Sequence, residues 1–424
     1  MTEPMPAQAA APAGVSPSVA DSFDLAIVGA GPVGLALTNA LVGAGVALRI
    51  ALIDRRAAGA GRDDPRALAL AEGSRRILAA LGAWEAASAT PIRDIHVSQR
   101  GGFGRTLIEG SDVAAEGQAA LGHVLRYGAL LAALEQALVQ AQSLTGAARV
   151  TRFAETTVAA LAEERDQITL TLATGGEPKR IAARLVVHAE GSAADATAWL
   201  TRDYRQSAIV AEVTPARAHQ GRAWERFTAD GPLALLPLGS DYSLVYTTSN
   251  GRLPELLELD DAAFLALLRA DFGTRLDFAA IGPRSAWPLA LRARKTLSVP
   301  RQVWIGASAQ TLHPVTGQGF NLGLRDALTL ATVIGNAVRS VTQQRIDVGA
   351  GALLADYRRQ RRGDRLGTIA FTDGLIRVFG STLPGMSALR GIGLLALDVL
   401  PALRAPLARR LAHGTVAAPT WRGD

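Results

Sequence analysis

The stretch "FDLAIVGAGPVGLALTNALVGAGVALRIALIDR", Phe23–Arg55, decides the fold. Phe23–Val28 is an apolar run of strand length, and Gly29, Gly31 and Gly34 follow it as G-x-G-x-x-G. Leu35–Val42 reads as a helix and Leu48–Ile53 as a second strand. Asp54 closes that strand, 20 residues beyond Gly34. Strand, glycine turn, helix, strand and terminal acid together make a βαβ dinucleotide unit. Gly29 permits the tight turn, Gly31 lets backbone approach a pyrophosphate, and Gly34 lets helix and strand pack closely. The helix N-terminus favours an anion, and Asp54 can accept from a ribose hydroxyl. The structural alternative is a tight βα turn with nothing bound. The motif alone does not separate FAD from NAD.

Working outward, 424 residues suit two domains, or one large domain with an insertion. Hydrophobic residues are 49% and charged residues 19%, so the chain can bury a large core and global disorder is excluded. There is no cysteine, which removes disulfides, thiolate zinc sites, iron–sulfur clusters and Cys nucleophiles together and fits a reducing cytosol. Residues 1–22 are rich in Ala and Pro, without Lys, Arg or a continuous apolar run, and read as a disordered tail. No stretch has the 18 or so unbroken apolar residues of a membrane span. The net charge is +6, and Tyr357–Leu411 alone holds ten Arg against three Asp. A basic tail of this kind can meet phosphates of lipid headgroups or of nucleic acid. Aromatics are only 5% and do not interleave with the basic residues, so no nucleic-acid partner is expected. The six histidines show no H-x-x-x-H or H-E-x-x-H spacing and no metal site is expected, nor does a G-x-S-x-G elbow occur.

A second stretch, "VWIGASAQTLHPVTGQGFNLGLRD" (Val303–Asp326), puts two glycines round a glutamine where a helix begins. Val303–Ile305 reads as a buried strand ended by Gly306. Leu322–Val338 alternates at helical spacing, and Gly317 and Gly319 open backbone geometry that other residues resist. Free amides at such a helix end favour negative charge, whether a phosphate or a ring system that becomes anionic. A structural turn is the alternative.

With this second stretch the chain resembles the flavoprotein aromatic hydroxylases of the para-hydroxybenzoate hydroxylase fold. "IGASAQTLHPVTGQGFNLGLRDA" is similar to their second FAD motif, and "LVVHAEGSAADA" (Leu185–Ala196) resembles their middle D-G motif. Within that family "DDPRALALAEGSRRILAALGAW", "IRDIHVSQRGGFGRT" and "GRAWERFTADGPLALLPL" resemble the ubiquinone-biosynthesis branch acting on 2-polyprenyl-6-methoxyphenol. The likeness runs from about Asp24 to Arg410. It implies an α/β chain, α+β overall: a Rossmann-like FAD-binding domain with an inserted β-sheet substrate domain and a helical C-terminal tail. The expected pieces are 23–90, 121–198 and 284–370 for the FAD domain, 91–120 and 199–283 for the substrate domain, and 371–424 for the basic tail. Ile92–Val97 and Arg105–Ile108 are expected as early strands of the substrate domain, Asp260–Ala270 as a helix on it, and His219–Thr248 as strands broken by turns.

The resemblance also implies roles. Amides near Gly317, Gln318, Gly319, Phe320 and Asn321 would stabilise negative charge on the reduced flavin pyrimidine, with Pro314 near the ring. Arg66 would lie close to the flavin and Arg126 beside the FAD phosphates, with surface arginines as the alternative. Glu190 and Gly191 carry the middle motif, with Glu190 where the family has Asp. Ala307 stands where the pattern has an acid or Asn that hydrogen-bonds the ribityl chain. One lost hydrogen bond is worth about 0.5–1.5 kcal/mol, and Ser308 is the residue that would compensate. His313 is a candidate general base or a packed loop histidine. The implied reaction is a flavin-dependent monooxygenation. NAD(P)H visits without a domain of its own, oxygen forms a C4a-hydroperoxide, and a polyprenylated phenol is hydroxylated. The other readings are an FAD-poor lipid-binding or scaffold subunit among ubiquinone-biosynthesis proteins, and a flavin reductase on the same fold. The apolar positions 389, 392, 396, 399, 403 and 407 form a helical stripe that Pro401 and Pro406 must break or kink. Flanked by arginines, that stripe suits a cytoplasmic protein held peripherally on the inner face of a membrane, with a C-terminal helix packed on its own domain as the alternative.

Overall fold

The computed structural model describes residues 22–113, 120–145, 149–191, 196–340 and 346–414. The tail expected at residues 1–22 lies outside them but for Ser22, as do the last ten residues. Ser22–Val28, Pro32–Gly43 and Arg49–Ile53 form the expected βαβ unit, its two strands parallel with Leu25 opposite Ile50. These strands sit inside an eight-stranded sheet. Five of its strands run parallel in the order 302–304, 179–188, 22–28, 49–53 and 149–153. A parallel strand buried on both faces needs apolar residues at every position, and Leu25, Ala26 and Ile27 are all fully buried. Pro32–Gly43 is buried nearly all round, between the sheet, Tyr127–Thr145 and Gln318–Arg339.

A second, nine-stranded sheet holds strands 94–99, 105–109, 199–215, 222–227, 232–238, 241–249, 278–281, 285–294 and 310–311. The helix Asp261–Phe272 covers one face through Ile209, Leu233, Leu244, Phe264 and Leu268. The Asp260 carboxylate starts it by accepting from the Ala263 amide at 2.7 Å. Two placements differ from expectation. Ser285–Arg294, expected with the first unit, pairs along 199–215 in this second sheet. Thr90–Ile92 pairs with Gly122–Arg126, which also pairs with Ala67–Ala71, in a small third sheet.

The C-terminal region is helical and built differently from a basic tail. One helix runs Gly351–Gly380, across the boundary expected at residue 370, and Met386–Val399 and Pro401–His413 follow. The last two bend by 93° at the break before Pro401. Pro401 sits in the first turn, where its missing amide costs nothing, whereas Pro406 is carried inside the helix without ending it. Most of the arginines counted as surface charge are used internally. Arg361 is buried, with its Nε 2.7 Å from Asp326 Oδ1, and Arg325 pairs with Asp364 at 2.7 Å. Arg365 donates to Gln310 and to the Arg294 carbonyl, and Arg404 to Asp112. The arginine surplus therefore locks the C-terminal helices to the rest of the chain. Beside exposed Arg409, the last two helices and the turn before them show an apolar outer patch: Leu383, Ile392, Leu395, Val399, Leu400 and Leu403 are exposed, with Phe103 beside them. Phe103 belongs to a turn packed on the helix at Gly391, so tightly that a Cβ there would lie 2.7 Å from the Phe103 carbonyl. Among the described residues no single helix is long and apolar enough to cross a membrane; the bent pair passes that test by length and composition.

Candidate active site

The first glycine turn does what its sequence demands. Gly29 has φ +108°, and a Cβ there would meet the Ala189 backbone at 2.5 Å. A Cβ on Gly34 would stand 1.9 Å from the Gly29 carbonyl oxygen. Gly31, by contrast, is bordered only by the ends of two side chains, Tyr127 and Arg56. Its backbone is open on that side, as a pyrophosphate requires. Asp54 accepts from the Ala30 amide at 2.7 Å and from Arg56, through both amide and guanidinium. Burial opposes its ionised form, but the Arg56 bonds and the Ala30 amide outweigh this and hold the carboxyl below its usual range. Arg56 also bonds the Tyr127 hydroxyl, and the Arg66 guanidinium stands 4.8 Å from the Tyr127 ring. Arg56 and Tyr127 were not singled out from the sequence. Their only signals were that Arg56 lies two residues after Asp54 and Tyr127 directly after Arg126. Arg66 is held by Asp64 at 2.7 Å, and Arg126 pairs with Glu212 on the second sheet.

The second motif is folded onto the first. Pro314–Thr316 is a single tight turn, Gly317 follows with φ +60°, and the long helix starts at Gln318 rather than at Leu322. No side chain caps this helix, and none caps Pro32–Gly43. A Cβ on Gly319 would meet nothing within 4 Å. Behind these ends the packing is tight. A Cβ on Gly306 or Gly323 would come within 3.1 Å and 3.0 Å of Val33, in the first turn of the other helix. Asn321 does not face outward. It accepts from the Ala71 amide at 2.9 Å and donates to the Ala69 and Gly317 carbonyls, stitching strand 67–71 to the glycine loop. Gln318 donates to the Leu411 carbonyl, and Phe320 packs against the main core. The Ser308 hydroxyl donates to the Gly191 carbonyl at 2.8 Å and accepts from the Gly191 amide at 3.1 Å. It joins the middle and second motifs and is not available to replace a side chain at Ala307, which is exposed. Glu190 is partly exposed beside His188.

Two uncapped helix ends, each preceded by glycine and open on its outer side, with a depressed carboxyl near one of them, fit a long anionic dinucleotide such as FAD.

His313 is buried. Its Nδ1 accepts from the Val315 amide at 3.2 Å, its ring stands edge-on to Tyr204, and burial pushes its pKa down to about 4. It is neutral near pH 7 and shapes the Pro314 turn.

A cavity of about 490 Å³ begins at Pro314–Gly317. One wall is the open face of the second sheet and the other is the C-terminal helices, where Phe379 stacks on Phe227 at 3.6 Å. The lining is almost wholly apolar, and Leu389 both lines it and is exposed.

Residues 22–362 match the family model described as an FAD binding domain. The chain is 35% identical to the ubiquinone hydroxylase UbiL of Rhodospirillum rubrum, over 93% of this chain and 90% of that protein. It is 30% identical to the 3-demethoxyubiquinol 3-hydroxylase of Escherichia coli, over 88% of this chain and 94% of that one. In fold it is similar to p-nitrophenol 4-monooxygenase PnpA from Pseudomonas putida, with a TM-score of 0.73, 15% identity, and coverage of 94% of this chain and 100% of that one. The matched span contains both glycine motifs and the sheet between them, and the chain belongs to the FAD-binding family of flavin-dependent hydroxylases.

Proposed function

We propose that this chain hydroxylates the ring of a polyprenylated phenol in ubiquinone biosynthesis, with NAD(P)H as the reductant. The observation that carries the reading is the apolar cavity that starts at the Gly-Gln-Gly helix end and reaches the exposed apolar helices. A volume of about 490 Å³ suits an aromatic head and the start of a tail, small-molecule sites being roughly 300–1,000 Å³. The rest of a long tail passes out beside Leu389.

The glycine turn at 29–34, Asp54 and Arg56 hold the nucleotide end of FAD. The amides at the start of Gln318–Arg339 hold negative charge on its ring. When bound, FAD supplies the redox chemistry, accepting electrons from the nicotinamide and activating oxygen. The sheet and the C-terminal helices keep the ring dry, with His313 neutral and buried behind the Pro314 turn. Arg66 and Arg126 stand at the rim, where their carboxylate partners position them for anionic ligands. The nine-stranded sheet acts as the substrate unit and the eight-stranded sheet as the cofactor unit.

Leu383, Ile392, Leu395, Val399, Leu400 and Leu403 rest on a membrane surface and let the tail enter from lipid. Arg390 and Arg404 beside them are spent on internal bonds while Arg409 stays exposed, so apolar burial is the main drive of that docking.

The test is turnover. The purified flavoprotein, NAD(P)H and a 2-prenylphenol with a two-isoprene tail should give a product one oxygen atom heavier, labelled from ¹⁸O₂. NAD(P)H oxidation with no labelled product would refute hydroxylation of this substrate. In vesicle flotation, Ile392→Asp with Val399→Asp should release the protein equally from neutral and anionic lipid; unchanged flotation would refute the docking face.

A further inference from the structure

Glu225 lies on the inward face of the second sheet. Thr106, Val97, Glu225, Ala234 and Val245 are consecutive cross-strand neighbours, and all five line the cavity. In this row Glu225 Oε1 and Thr106 Oγ1 are sealed from solvent and lack a hydrogen-bond partner among the described residues. Buried polar atoms in native proteins are almost always paired, so an orphan in the wall of a ligand cavity points to a polar group on the ligand. Arg390 also lines the cavity, but its guanidinium is taken by the carbonyls of Met386, Phe379 and Ser381. Burial alone lifts the Glu225 carboxyl well above its ordinary value. A neutral carboxyl group has one O–H to donate and keeps acceptor capacity. A phenol ring has one oxygen that needs such a partner, and an apolar wall offers none.

We infer that Glu225 binds the ring oxygen of the substrate, with Thr106 as the second polar contact, and so fixes which ring carbon faces Pro314–Gly317. This rests on the phenol reading above. The register supports the orientation: Ala223, Glu225 and Phe227 share the inward face, and Trp224, which also borders the cavity, packs against the cluster under the helix on the other side.

The experiment uses the FAD-loaded full chain and two probes, the 2-prenylphenol and the matching prenylbenzene, which lacks the oxygen. Binding is read from perturbation of the flavin spectrum. The wild type should prefer the phenol by roughly tenfold, the value of one well-made hydrogen bond. Glu225→Gln keeps a donor and an acceptor and should hold most of that preference. Glu225→Met removes both at similar volume and should bind the two probes alike, while flavin content and the thermal midpoint stay at or above the wild type. Thr106→Val should lose a few-fold in the same preference, and it serves as the readout if the Met variant does not fold. A wild-type preference retained in Glu225→Met and in Thr106→Val would overturn the inference and leave the phenol reading standing. A wild type that holds FAD and binds neither probe would overturn both.

Discussion

Ala307→Asn should tighten FAD binding. Ala307 is exposed in the turn Gly306–Ser308, between two buried neighbours. It is not among the residues with positive φ, so an asparagine enters without backbone strain. The Ser308 hydroxyl is committed twice to Gly191 and adds nothing at this place. If position 307 faces the cofactor chain, as the family pattern implies, the wild type lacks one side-chain hydrogen bond there. A neutral hydrogen bond is worth about 0.5–1.5 kcal/mol, which converts to roughly two- to tenfold in Kd. The assay is titration of flavin-free protein with FAD, followed by quenching of flavin fluorescence at fixed salt. Ala307→Val serves as the control for bulk alone and should bind no better than the wild type. An asparagine variant that binds FAD no more tightly, with an unchanged thermal midpoint, would show that position 307 does not face the cofactor.

Three further outcomes are expected. Asp326→Ala takes one of two carboxylates from buried Arg361, which keeps Asp364 at 2.8 Å, and the acceptor from the Gly306 amide and Gln310; leaving such buried donors unpaired costs about 1–3 kcal/mol each, read from urea denaturation. A loss below about 1 kcal/mol would mean the network is not the lock between the two long helices. Gly34→Ala places a methyl where the Gly29 carbonyl already is, so the purified variant should be colourless and unstable; a yellow, stable protein would contradict the close packing of the turn. The stability gap between Glu225→Gln and the wild type should widen in favour of the variant as pH rises. The folded wild type keeps a proton that the unfolded chain releases near 4.5, so its stability falls from that pH upward toward the raised folded value. A gap that stays constant from pH 4 to 8 would remove the buried, protonated carboxyl.

The βαβ unit could be read from the sequence because every requirement is local. Strand, turn glycines, helix and terminal acid lie within one short window, and each has a steric or electrostatic reason. The start of the second helix was placed four residues late. Gln318–Asn321 carry no apolar periodicity, and what fixes them is the left-handed Gly317 together with Asn321 bonding a strand some 250 residues away. The arginine-rich end misled for a related reason. A guanidinium is a surface charge until its partner is known, and Arg361 and Arg404 find Asp326 and Asp112, distant in sequence. Glu225 was hidden by its own strand. In "RAWERF" both faces carry large side chains, so alternation alone cannot say which one meets a cavity.

Val33 stands between Gly306 and Gly323, where a methyl on either would press within 3.1 Å of it. The spacing of the two uncapped helix ends is therefore set by hard contact rather than by a loop or hinge. Such an arrangement works as a caliper with fixed jaws. A full dinucleotide would be gripped by both, whereas a flavin mononucleotide of half the length would reach only one. Selection for the longer cofactor would then rest on the packing of one valine against two glycines.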